Sequence, residues 1–152
     1  MVDTISKILS IVLIFLMLIM APLLISYKID EAVARREVLF EVTQFIDKVR
    51  DTQAISDADL DQFYQDCNSH GLTVDVRVRR LVKTVVIDPY TEEVSVEYTI
   101  NEDPTALYKF NKGDGVQVVI EEIGVSPSRS FMYRVLGADS GPLKFTLAGI
   151  VG

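Results

Sequence analysis

Cys67 and His70 are the single cysteine and single histidine of the chain. Three residues apart, they share a face if the segment is helical, and an imidazole could then deprotonate a thiol for nucleophilic attack. The same residues carry a plainer reading. Cys67 continues an apolar stripe begun by Leu60 and Phe63, which places it in a core. His70 stands at a helix end, near the negative pole of the macrodipole. No Gly-x-Ser-x-Gly, P-loop, dinucleotide fingerprint or His-Glu-x-x-His accompanies the pair. The chain is read as non-enzymatic, with no catalytic residue and no cofactor.

Asp57, Asp59 and Asp61 alternate like the opening of a calcium-binding EF-hand loop. That loop needs Gly at its sixth position and a bidentate Glu at its twelfth, where this sequence has Gln62 and Asn68. The acids are therefore assigned to a helix N-terminus, and no metal is expected. Arg77, Arg79 and Arg80 form a small basic cluster that could meet anionic headgroups or an acidic neighbour. A solvated strand face accounts for them more simply. A net charge of −7 and the lack of a basic stripe with interleaved aromatics exclude a nucleic-acid partner.

The elements that position these residues begin with an uncharged run. Ile8 to Tyr27, twenty residues bracketed by Lys7 and Lys28, holds no charge. As a helix it spans roughly 30 Å, the hydrocarbon thickness of a bilayer. Ile8, Phe15, Pro22 and Ile25 lie along it, and membrane lipid is its expected partner. The run is too long for a secretory signal, and neither Ala21-Pro22 nor Ser26-Tyr27 makes a good cleavage site. A retained single-pass anchor is expected, after a short flank of residues 1–7. Pro22 predicts a gentle kink.

No Gly or Pro interrupts residues 28–51. Val38, Val42, Phe45 and Val49 recur at spacings of four, three and four, one stripe of an amphipathic helix. One helix, or two nearly collinear ones, is predicted from about Thr4 to Asp51. Residues 52–71 hold a loop and a short helix, with Ser56 as N-cap, Asp57 and Asp59 in the first turn, and Gly71 as the stop. From residue 72 the apolar period changes to two. Strands are predicted over Thr73–Arg79, Leu81–Ile87, Val94–Ile100, Leu107–Phe110, Val116–Ile123, Phe131–Leu136 and Lys144–Val151. The turns fall at Asp88–Glu92, Asn111–Gly115 and Ala138–Pro142. The predicted fold is α+β: a long N-terminal transmembrane and amphipathic helix, a short extra helix, and an antiparallel β domain over residues 72–152. One sheet face packs on the Phe45 helix and the other is wet.

An apolar segment running straight into an amphipathic helix and then a modest β domain resembles the type IV pilin and pseudopilin superfamily. Phe45-Ile46-Asp47, Val49-Arg50, Thr52 and Ile55-Ser56 are similar to a run in pilin-like proteins of Tad-type pilus and secretion loci of Gram-positive bacteria. Phe45, Asp47, Arg50 and Thr52 carry that likeness, and Gln53 stands where it implies Gly. The resemblance implies a cell-membrane protein with its C-terminal domain outside the cytoplasm. Its partners would be other pilin-like subunits or pilus and secretion platform proteins. Residues 1–7 lack a basic leader, and the apolar run lacks the Glu that aids pilin assembly. The implied role is accordingly a minor or accessory subunit. Lys28, Arg35 and Arg36 follow the anchor and Lys7 alone precedes it, so the positive-inside rule points the other way. The resemblance is given precedence. The alternative is a membrane-anchored ligand- or protein-binding or signalling module.

Overall fold

The computed structural model describes residues 2–87, 89–90, 93–101, 103–124, 130, 133–134, 137 and 141–152. The first element, α1, is one helix of 51 residues, Val2–Thr52, unbroken through Pro22. It ends where Gln53 adopts a positive φ of 55°. The Gln53 amide donates to the Val49 carbonyl at 2.8 Å, and its side-chain Nε2 donates to the Gly152 carbonyl at 2.7 Å. Glycine is the residue for which this left-handed conformation is easy. Here a side-chain bond to the chain end accompanies the strain that a non-glycine residue carries.

α2, Asp57–Ser69, opens on a complete capping box. The Asp59 amide donates to Ser56 Oγ at 3.2 Å, and the Ser56 amide donates to the Asp59 carboxylate at 3.1 Å. Two otherwise orphaned backbone donors are satisfied in this way.

Four antiparallel strands follow: β1 Val74–Ile87, β2 Val94–Asn101, β3 Gly115–Glu122 and β4 Lys144–Ile150. Their order across the sheet is β2-β1-β3-β4. The two strands expected over Thr73–Arg79 and Leu81–Ile87 are one, because β1 changes partner along its length. Its first part, Val74 to Leu81, pairs with β3, and Arg80 to Ile87 pairs with β2. The strand expected over Leu107–Phe110 is replaced by a 3-10 helix, Pro104–Tyr108. Asp103 caps that helix by accepting from the Thr105 amide at 2.9 Å, and Pro cannot donate to a ladder. The strand expected over Phe131–Leu136 lies mostly outside the described residues; the two described there, Tyr133 and Arg134, are helical. Asp88, Thr91 and Glu92 of one predicted turn, and Ala138 to Ser140 of another, also lie outside them.

The core lies between α1, α2 and the inner sheet face. Val38, Val42, Phe45, Ile46 and Val49 of α1 meet Val116, Val118 and Ile120 of β3, with Ile55, Phe63, Cys67 and Val74 closing the sides. Each fully buried aliphatic or aromatic side chain contributes about 1.5–3 kcal/mol of transfer free energy. The Phe45 and Phe63 rings stack at 4.1 Å between centroids and 11° between planes. Gly149 lets β4 approach α1, since a Cβ there would collide with the Ile46 side chain.

Two contacts fix the direction of the sheet. Arg35 Nη2 donates to the Gly141 carbonyl at 3.3 Å, and Arg50 Nε donates to the Ile150 carbonyl at 3.2 Å. β4 therefore runs parallel to α1, and β1 does as well, through antiparallel β3. The apolar half of α1 lies beyond one end of the domain. Past Leu81, at the other end, β1 and β2 continue as a two-stranded ribbon, because β3 begins opposite Leu81. Six residues of ribbon at about 3.3 Å each extend roughly 20 Å past the sheet.

Candidate assembly helix, its junction and the outer sheet face

The first half of α1 is exposed on every side. Ile8, Phe15 and Ile25 are each more than half exposed, and Pro22 is exposed as well. The most apolar window of the helix has a mean hydropathy of 3.1, and none of it is buried. A soluble monomer seldom exposes an apolar patch beyond roughly 300–600 Å², and a helix apolar all round calls for a non-aqueous environment. The segment is long and apolar enough to cross a bilayer, which makes it a candidate membrane anchor. Val38, Val42, Phe45 and Val49 belong to the other half, where they are buried against the β domain. One helix thus provides an unpartnered rod and the spine of a folded domain.

The four motif residues gather where α1 ends. Phe45 stacks on α2. Asp47 accepts from Arg50 Nη1 at 3.1 Å while Arg50 Nε reaches the β4 backbone. Thr52 Oγ1 lies 2.8 Å from the Lys48 carbonyl and 2.9 Å from that of Ala54. These contacts tie the end of the helix to the last strand, to α2 and to the following turn. Lys48 adds a bridge to α2, donating to Asp59 at 2.5 Å. Hydrogen bonds from Lys48 and Ser56 hold the Asp59 carboxyl down at about 2.

Cys67 is fully buried, and burial, followed by the charges of Glu41 and Asp66, pushes its thiol up to about 12. A reactive cysteine needs the opposite environment, one that favours thiolate. His70 Nε2 lies 3.7 Å from Glu41 and makes no hydrogen bond among the described residues. Asp57 accepts from the Tyr108 hydroxyl at 2.6 Å, and Asp59 belongs to the capping box. Among the described residues, no group of three or more His, Cys, Asp or Glu is placed to hold a metal ion.

The arginine cluster divides between the two sheet faces. Arg77 lies on the outer face, paired with Asp75 at 2.7 Å and Glu121 at 3.4 Å. Arg80 does not lie on a wet face. It points inward, its side chain only 13% exposed, and donates from Nε and Nη2 to Asp114 Oδ2 at 3.0 and 2.5 Å. Its Nη1 donates to the Ala106 and Lys109 carbonyls, and its guanidinium lies over the Phe110 ring. Asp114 also accepts from the Asn111 and Lys83 amides. Burial alone would push its carboxyl up; the two amides and Arg80 outweigh that and hold it below the usual carboxylate range.

The apolar positions of β2 also depart from expectation. Arg80 and Val82 share the inner face with Asn101 and Thr99, so the inner positions of β2 are polar. Val94, Val96, Tyr98 and Ile100 face outward beside Ile87, Val85, Lys83 and Leu81. Ile150, opposite Gly115 at the base of the ribbon, extends this surface. The outer face expected to be wet therefore carries a contiguous exposed apolar patch. The period-two pattern in the sequence marks these residues, but it does not tell which side of the sheet they take.

No protein-family model, no curated protein and no solved structure matches the chain.

Proposed function

We propose that the chain is a non-enzymatic, pilin-like membrane protein, a minor or accessory subunit in the assembly of a surface pilus or secretion pseudopilus. The observation that carries this reading is the 51-residue α1, whose exposed apolar half continues without a break into the spine of an α+β domain. In the bilayer the apolar half contacts lipid. On assembly it exchanges lipid contacts for helix–helix contacts of similar apolarity, so the transfer has little net cost. The buried Val38–Val49 face and the Arg50 contact with β4 hold the domain on the second half of the helix. In this reading the β domain stands on the extracytoplasmic side.

Capture of the full-length chain from its native membranes tests the proposal. Co-recovery of other pilin-like subunits or of secretion platform proteins is the expected result. Their consistent absence overturns it, as does failure of a Gly152→Cys variant to react with an impermeant maleimide on intact cells. The exposed apolar face of β1–β2 favours a second reading, an anchored protein-binding module, for which platform components would be absent and a different partner recovered.

A further inference from the structure

We propose that the outer face of the β1–β2 ribbon is a self-association surface, on which two copies anchored in one membrane pack sheet to sheet. The inference goes beyond the assembly role of α1 and rests only on the anchored reading of that helix. Val85, Ile87, Val94, Val96, Tyr98 and Ile100 occupy successive outward positions on two paired strands, each at least 41% exposed. Together they offer on the order of 500 Å² of side-chain surface, within the range of the largest patch on a typical monomer. With flanking Leu81 and Ile150 the surface reaches roughly 600–650 Å², above the about 500 Å² per partner of the smallest specific interfaces and below the roughly 800 Å² of a standard one. A lone two-stranded ribbon is marginal in water, and a second layer across its apolar face would stabilise it.

The geometry favours a second copy as the occupant. The patch lies at the end of the domain away from the apolar half of α1, which sets it far from lipid when that half is in the bilayer. Every copy then holds the patch at the same height above the membrane. A two-fold axis along the membrane normal keeps both anchors in one bilayer and brings identical surfaces together, as an isologous interface requires. With that axis between β1 and β2, the register places Val85 of one copy opposite Val96 of the other, and Ile87 opposite Val94. Two sheets packed in this way lie about 10 Å apart with strands nearly aligned. The helices remain outside, since α1 packs on the inner sheet face. Among the described residues, Lys83 is the one charge within the patch. Beyond it, Arg77 and Lys144 are paired with Asp75 and Glu121 within each copy, and Arg79, two residues before Leu81 on the same face, marks the edge of the apolar surface.

Single cysteines introduced into the full-length chain test the contact in native membranes with a short bis-maleimide. Buried Cys67 makes the parent chain the blank. Outward positions, Val94→Cys, Val96→Cys and Tyr98→Cys, are expected to yield a covalent dimer of twice the 17.0 kDa chain. Inward positions Ser95→Cys, Glu97→Cys and Thr99→Cys are expected to yield little. Introducing Val96→Glu beside Tyr98→Cys is expected to lower the dimer about tenfold or more, the equivalent of about 1.4 kcal/mol, while Cys67 stays protected and so reports an intact fold. Equal yields from both faces, no dimer at the outward positions, or an outward adduct of another mass would overturn the proposal; the last would assign the face to a different protein. Carbonate extraction of the same membranes reports the anchor separately. A chain that stays in the pellet without outward cross-links refutes the sheet contact alone, and release of the chain refutes the anchor.

Discussion

Replacing Asp114 by asparagine keeps the shape of the side chain and removes the carboxylate that pairs with Arg80. The guanidinium is then left 13% exposed with carbonyl partners and, among the described residues, no counter-charge. Removing one member of a buried ion pair typically costs about 3–5 kcal/mol, because the other charge stays desolvated. Against a domain stability of roughly 5–15 kcal/mol, that is a large fraction. Arg80→Met is expected to be costly for the converse reason, since Asp114 would keep its two amide donors but lose its cation. The double variant removes both charges at once, so its loss should fall below the sum of the single losses by about 1–3 kcal/mol. The only cysteine, fully buried, supplies the assay: thiol labelling of Cys67 in the full-length chain, titrated with urea, reads opening of the core it belongs to. The pair also has a pH signature. The Asp114 carboxyl is depressed in the folded state, so its stabilisation is present above the unfolded carboxylate value of about 3.9 and is lost as pH falls through the folded value. Asp114→Asn should abolish that part of the acid sensitivity. A loss below about 1 kcal/mol in Asp114→Asn, or strict additivity in the double variant, would refute the reasoning.

Gly149→Ala places a methyl group against Ile46 and should destabilise the α1–β4 contact by about 1–3 kcal/mol. Ile46→Ala removes the Cγ2 that the new methyl group meets, so the loss in the double variant should fall below the sum of the two single losses, as Cys67 labelling would read; no loss in Gly149→Ala would contradict the close approach. The Asp59 carboxyl, lowered from 3.8 to about 2 by Lys48 and Ser56, contributes stability above the upper value that is lost as pH falls through the lower one. Circular dichroism between pH 5 and about pH 2 should therefore show an acid transition in the folded domain that Asp59→Asn diminishes.

Local physics wrote several elements directly into the chain. The Val38–Val49 stripe specifies a helix because it satisfies a 3.6-residue period, and the uncharged run, long enough as a helix to cross a bilayer, continues into it because no glycine falls between them. Ser56 with Asp59 specifies the start of α2 because two backbone donors must find acceptors within the first turn. Alternation from Val74 onward specifies strands, since successive side chains of an extended chain point to opposite faces. It cannot specify which face is buried. That depends on register, and a shift of one residue exchanges the two faces of a strand. For this reason Arg80 reads as solvated in the sequence, whereas the Leu81–Ile100 and Leu81–Gly115 registers turn it inward to Asp114. The same registers turn Val94, Val96, Tyr98 and Ile100 outward, although their pattern resembles that of a core strand. Leu107–Phe110 was illegible for a different reason: the capping of Asp103 and the fixed φ of Pro104 outweigh the apolar run that suggested a strand. The sequence by itself determined α1, α2, the segments of β1 to β4 and the apolar rod, because neighbours along the chain govern these. Tertiary structure alone decided the inner and outer faces of the sheet, the buried Arg80–Asp114 pair and the projecting apolar ribbon, because each depends on partners distant in sequence and on the parity of the strand pairings that bring them together.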